Sequence, residues 1–153
     1  MAVVGITPDD AVDNFAILAA LAGKGAEMAT ERIGVTELAE LERLADDIGG
    51  SDDVVGANRR FHRAVNHAAR SPRLLVYLRQ AIRVVPGNYF DLFPEQEHRS
   101  RDEHAALLEA MTAGDAALAR RVAEDHVLTA GHALGDYLTA LGSERGESTP
   151  AAG

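Results

Sequence analysis

The chain has 153 residues, a formal net charge of -9 and no cysteine, which excludes disulfides, thiolate metal sites and cysteine nucleophiles. Acids outnumber bases by 24 to 15, which argues against binding nucleic acid through this chain alone, because phosphate contacts need clustered Lys and Arg. Hydrophobic residues make up 46% and aromatics only 5%, so a single folded domain is expected, with Leu, Ala and Val filling its interior.

No run approaches the roughly 18 to 20 apolar residues of a membrane span. Met1-Ala2-Val3-Val4-Gly5 lacks the charged start and long apolar stretch of a signal peptide. With no cysteine to oxidise, a cytoplasmic location is expected.

Thr7-Pro8-Asp9-Asp10 reads as a helix start, with a Thr cap, Pro at the first helical position and acid in the first turn. Phe15, Leu18, Leu21 and Ala22 carry that helix to about Arg32. Gly23 and Gly25 weaken its middle, a candidate kink. A second helix is predicted over Glu37–Asp47, capped by Thr36 and stopped by Gly49-Gly50. A third spans about Asp53 to Ala69. A fourth starts at Ser71-Pro72 with Leu74, Leu75, Leu78, Ile82 and Val85 inward, and Pro86-Gly87-Asn88 ends it. Tyr89 to Arg99 is the least regular stretch. A fifth helix is predicted over Ser100–Ala113, and after Gly114-Asp115 a sixth over Ala116–Leu141. No segment alternates with period two long enough for a strand. The fold class is all-α, an antiparallel bundle of six to seven helices with a metal or ligand pocket in its core. Residues 1–6 are assigned as a tail, 7–141 as the helical domain and 142–153 as a flexible tail.

Asn58 and His62 lie four apart on the third helix and share a face beside the apolar stripe of Val54, Ala57, Phe61, Ala64 and Val65. His104 and His126 fall on the apolar stripes of the fifth and sixth helices. His67 and His132 fall off their stripes, and His98 sits in the irregular stretch. Three inward imidazoles and one inward amide from three helices suit a metal site in a bundle core. Imidazole nitrogen favours zinc, nickel, copper or ferrous iron. An isolated inward histidine is ordinarily a satisfied core residue, so periodicity leaves both readings open.

Three segments resemble a known family. They are Asn58-x-x-Phe61-His62-Arg63-Ala64 followed by Ser71-Pro72-Arg73-Leu74; Glu103-His104-x-x-Leu107-Leu108-x-Ala110-Met111-x-x-Gly114-Asp115-x-x-Leu118-Ala119; and His126, seven residues after Ala119. In this order the chain resembles, over Thr7 to Leu141, the effector-binding (FCD-type) domain of GntR-family, FadR-like transcription regulators. The resemblance implies a ligand set of Asn58, His62, His104 and His126 around a divalent metal, zinc foremost, with nickel or iron as alternatives. It also implies a homodimer. Asn58 stands where the family more often has Asp, Ser71 replaces the customary Asn before Pro, and Leu18 and Ala22 stand where Arg and Glu are frequent.

The function this implies is sensing of a small carboxylate effector that binds the metal and controls DNA binding. DNA would be contacted only through a winged-helix domain, attached or on a partner, because the residues before Thr7 are too few to form one. Arg79, between Leu75 and Ile82, is a candidate charge for the effector carboxylate; the competing role is an arginine reaching out to solvent. Two alternatives remain: a stand-alone module that dimerises with a regulator, and a metal-dependent hydrolase. Against the hydrolase, Glu103 precedes His104 and by helical geometry points away from the other ligands. An enzyme is not expected.

Overall fold

A computed structural model describes the backbone of residues 6–147 and the side chains of residues 6–143. Among them are seven α-helices and no strand: α1 (Pro8–Arg32), α2 (Val35–Gly50), α3 (Val54–Ala68), α4 (Pro72–Ala81), α5 (Tyr89–Leu92), α6 (Glu95–Thr112) and α7 (Ala116–Glu147). A 3-10 turn, Ile82–Val84, extends α4. No described helix is long and apolar enough to cross a membrane.

The Thr7 cap closes α1 as expected. Its hydroxyl accepts from the Asp10 N–H at 3.0 Å while the Asp10 carboxylate accepts the Thr7 N–H at 3.1 Å, a reciprocal box that satisfies two otherwise orphaned donors. Helix α1 then runs through Gly23 and Gly25 without a break. Both glycines are buried, and a Cβ on either would press on a neighbouring side chain, Glu124 of α7 or Leu74 of α4. They are close-approach positions rather than a hinge.

The boundaries of three helices differ from the expected ones. Helix α2 begins at Val35 and ends at Gly50. Glu37 reaches back to the Gly34 N–H at 3.0 Å, so Gly34 and not Thr36 is the cap. Helix α6 begins at Glu95, five residues early. Its first turns are polar and show no apolar period, yet Arg99–Glu103 and Arg101–Glu97 pairs one turn apart support them. Helix α7 continues to Glu147; residues 1–5 and 148–153, expected as tails, lie outside the described residues. Ile82, expected inward, is 47% exposed because the 3-10 turn rotates it off the α4 stripe.

Helices α1 and α7 form the most extensive pair. Phe15 meets Gly131, Val12 meets Gly135 and Glu27 meets Arg120, so the two run antiparallel. Contacts of Glu103 with His126 and of Arg99 with Thr129 make α6 antiparallel to α7 as well. The turn between them places Gly114 at φ 70°, where the N–H groups of Gly114 and Asp115 bond back to Met111 and Ala110. That left-handed residue ends α6 in a Schellman turn, where glycine carries no steric penalty.

The main core gathers Leu18, Leu41, Ile48, Phe61, Leu78, Leu107 and Met111 from five helices, joined by Ala119 and Ala123 of α7. A second cluster, Phe15, Tyr89, Phe93 and Leu134, anchors the short α5 against α1 and α7. Helix α3 is held between α1 and α2, and α6 contacts both α2 and α7. Side chains of α3, α6 and α7 meet beside this core.

Candidate metal centre

Asp53 caps α3, accepting the Gly56 N–H at 2.8 Å, and the helix period buries Ala57, Phe61, Val65 and Ala68. His62 follows Phe61 and emerges at the edge of that buried face. His104 is turned fully inward on α6, only 2% exposed. His126 comes from α7, with its side chain 16% exposed. One donor atom from each imidazole lies within 4.8 Å of the others.

The rings are packed against one another. The ring centroids of His62 and His126 are 5.1 Å apart in a stacked pair, and those of His104 and His126 are 5.0 Å apart. Phe61 packs against this cluster, its ring centroid 4.5 Å from that of His104. The Nε2 atoms of His62 and His104 approach to 3.1 Å. Two nitrogens bonded to one ion at about 2.0–2.1 Å stand at such a separation. Without an ion, the same contact needs a proton on one nitrogen and a lone pair on the other.

Burial, with His126 nearby, pushes the pKa of His62 down to about 3. Burial does the same to His104 more strongly, aided by His62 and His126. Both stay neutral at pH 7, the state in which imidazole ligates. The Nδ1 of His104 and the Oδ1 of Asn58 are buried without a hydrogen-bond partner. The Asn58 oxygen is an acceptor in every state, and an orphaned buried acceptor is costly unless something outside the protein's own groups meets it.

The structure brings His62, His104 and His126 together. Asn58 lies one turn before them on α3, part-buried with its oxygen enclosed, although it is not among the walls of the central cavity. Arg79 is not brought to this site. It is exposed, and its Nε donates to the Leu75 carbonyl on its own helix. His67, His98 and His132 are exposed.

One residue corrects the sequence reading. Glu103 does not point away: its Oε2 sits 2.7 Å from Nδ1 of His126. Its rotation from His104 on α6 aims it toward α7, and its long side chain spans the gap. Arg99 holds the other oxygen at 2.8 Å and reaches Thr129 at 3.2 Å. Burial opposes ionisation of Glu103, but the bonds from His126 and Arg99 outweigh it and keep the carboxyl below its ordinary value. Ser100, 5% exposed, faces Nε2 of His104 at 3.4 Å; its place one turn before His104 was a signal available in the sequence.

The cavity between these groups measures about 20 Å³. That is room for one ion or one water. Ala22 and Ala26 of α1, Val65, Leu107, Val122, Ala123 and Val127 make its remaining wall largely apolar. A wider surface cleft of about 310 Å³ lies outside it, and Val122, Glu103 and His126 border both spaces.

Fold and site together define an all-helical ligand-binding domain. The family model of the FCD domain matches residues 13–129, and the chain belongs to that family. The FCD domain is the ligand-binding regulatory domain of GntR-family regulators and acts with a DNA-binding domain. Domains of this family are often metal-associated. A comparison with curated proteins found no match.

Proposed function

We propose that this domain senses a small carboxylate effector through a divalent metal, zinc foremost, held by His62, His104 and His126 with Asn58 as the oxygen donor. The observation that carries the reading is the convergence of three imidazoles from three helices within 4.8 Å. The donor set fits such an ion: nitrogen ligands of borderline softness, two of them kept neutral by burial, and an enclosed amide oxygen with no other partner. When bound, the ion supplies positive charge in an otherwise largely apolar interior, with open positions for a carboxylate. The chain's own groups orient and desolvate it: Val65, Leu107 and Val127 line the cavity, Phe61 packs against His104, and Glu103 secures His126.

Effector binding would bias the positions of α3, α6 and α7 relative to one another. In a homodimer carrying winged-helix domains in the cytoplasm, that bias alters operator affinity through differential affinity for two states. A hydrolase needs a free base beside the ion. Among the described residues, Glu103 is the only carboxylate in the cavity wall, and it is already bonded to His126 and Arg99.

Elemental analysis of protein purified without added metal tests the site, beside His104→Ala and His126→Ala. Near-stoichiometric metal in the wild type, lost in both variants, is the expected result. Calorimetry with acetate, lactate and citrate on the loaded protein then tests the effector class. Absence of metal even after zinc or nickel is added would overturn the reading.

A further inference from the structure

Glu103 is the one group at the site whose contacts define the role of a neighbour. An ionised carboxylate has no proton to give. At 2.7 Å the hydrogen bond between Glu103 Oε2 and His126 Nδ1 therefore requires the proton on Nδ1. An imidazole with its proton on Nδ1 carries its lone pair on Nε2. The carboxylate is not free to turn, because Arg99 donates from Nε to its other oxygen at 2.8 Å and is itself tied to Thr129 of α7. His126 contributes to both the inner cavity and the outer cleft. Of the three histidines it alone has a carboxylate on its ring, whereas His62 and His104 face each other.

We infer that Glu103, braced by Arg99, is the positioning residue that fixes the tautomer and ring direction of His126, so that Nε2 is its metal-donating nitrogen. The inference rests on the metal reading proposed above. Its physical content is that of a carboxylate behind a ligating imidazole: the partner sets which nitrogen is free and removes the entropy of ring rotation. It also explains why the α6 sequence places Glu directly before His104. One residue of the pair reaches the cavity, and the other reaches across to hold the third ligand on α7.

The test begins on metal-free protein, prepared by chelation, with long-range ¹H–¹⁵N correlation spectra that report each histidine tautomer. Wild type is expected to show His126 protonated at Nδ1. Glu103→Gln, whose amide oxygen can still accept that proton while Arg99 turns to solvent, is expected to retain the same tautomer. Glu103→Ala is expected to lose the preference, with circular dichroism confirming that all three remain helical. Zinc affinity, measured by competition with a chromophoric chelator, should then fall about 10- to 100-fold in Glu103→Ala, with Glu103→Gln recovering most of the loss. A wild-type His126 protonated at Nε2, an unchanged tautomer in Glu103→Ala, or equal zinc affinity in wild type and Glu103→Ala would each overturn the assignment. A wild type that takes up no zinc would overturn the metal reading itself. The tautomer spectra, recorded without metal, would still decide whether Glu103 governs His126.

Discussion

Phe61 is fully buried, and its ring lies against both His104 and His62, which makes it the packing partner of the site as well as a core residue. Phe61→Ala should therefore cost about 3–5 kcal/mol of stability, read as a lowered urea midpoint. The two neutral histidines make a separate contribution with a defined sign. Unfolded, each takes up a proton near 6.5; folded, His62 does so near 3 and His104 lower still, burial being the main cause in both. Between those values the unfolded chain binds more protons, so stability is lost as pH falls. Metal-free protein should lose up to about 1.4 kcal/mol per pH unit for each histidine as pH drops from 6.5 toward 4. Urea titrations at pH 7, 6, 5 and 4 check this; a midpoint independent of pH across that range would contradict it. At this scale the inward histidines were legible because burial follows helical period. Glu103 was not, because period describes where a Cβ points and says nothing of where a long side chain ends once another helix lies beside it.

Among the elements, the crossing of α1 and α7 depends on side chains that are missing. A Cβ at Gly131 would collide with Phe15, and one at Gly135 would come within 2.8 Å of Val12. Helix propensity alone favours alanine at either position by about 1 kcal/mol. The collision with the Cβ end of Phe15 outweighs that gain, since overpacking typically costs about 1–3 kcal/mol. Gly131→Ala is expected to lower the melting temperature; a rise would show that the two helices can separate without penalty. Helix starts such as Thr7 and Ser71 were readable from sequence because their side chains bond to N–H groups three residues on. The starts of α2 and α6 were not. Glu37 displaced the expected cap by reaching back to Gly34, and the polar first turns of α6 carry ion pairs where a periodic apolar signal was sought.

In the whole molecule, His62, His104 and His126 belong to three different helices and converge at one point. An ion bound there would link α3, α6 and α7 in the folded state only. Zinc at about 1,000 times its dissociation constant should then add roughly 4 kcal/mol to unfolding. A thermal melt with and without zinc measures the effect, and His126→Ala should abolish the zinc-dependent shift while retaining a cooperative transition. The all-α class was evident from sequence because every long segment carried a helical period. Which helices would pair was not, since three separated histidines acquire a common centre only when α1 aligns α7 and α7 aligns α6.

The cavity beside the imidazoles holds one small occupant and no more. Its size bears on time as much as on affinity. On the effector reading proposed above, an organic acid of several heavy atoms would have to wait for α6 or α7 to yield before it could be seated. Stopped-flow mixing with rising acid concentration should give an observed rate that levels off at the opening rate of the bundle, instead of climbing in a straight line as for a site already open. The plateau would then be a property of the protein, shared by acids of different strength, and the domain's response time would be set by its own breathing rather than by its signal's abundance.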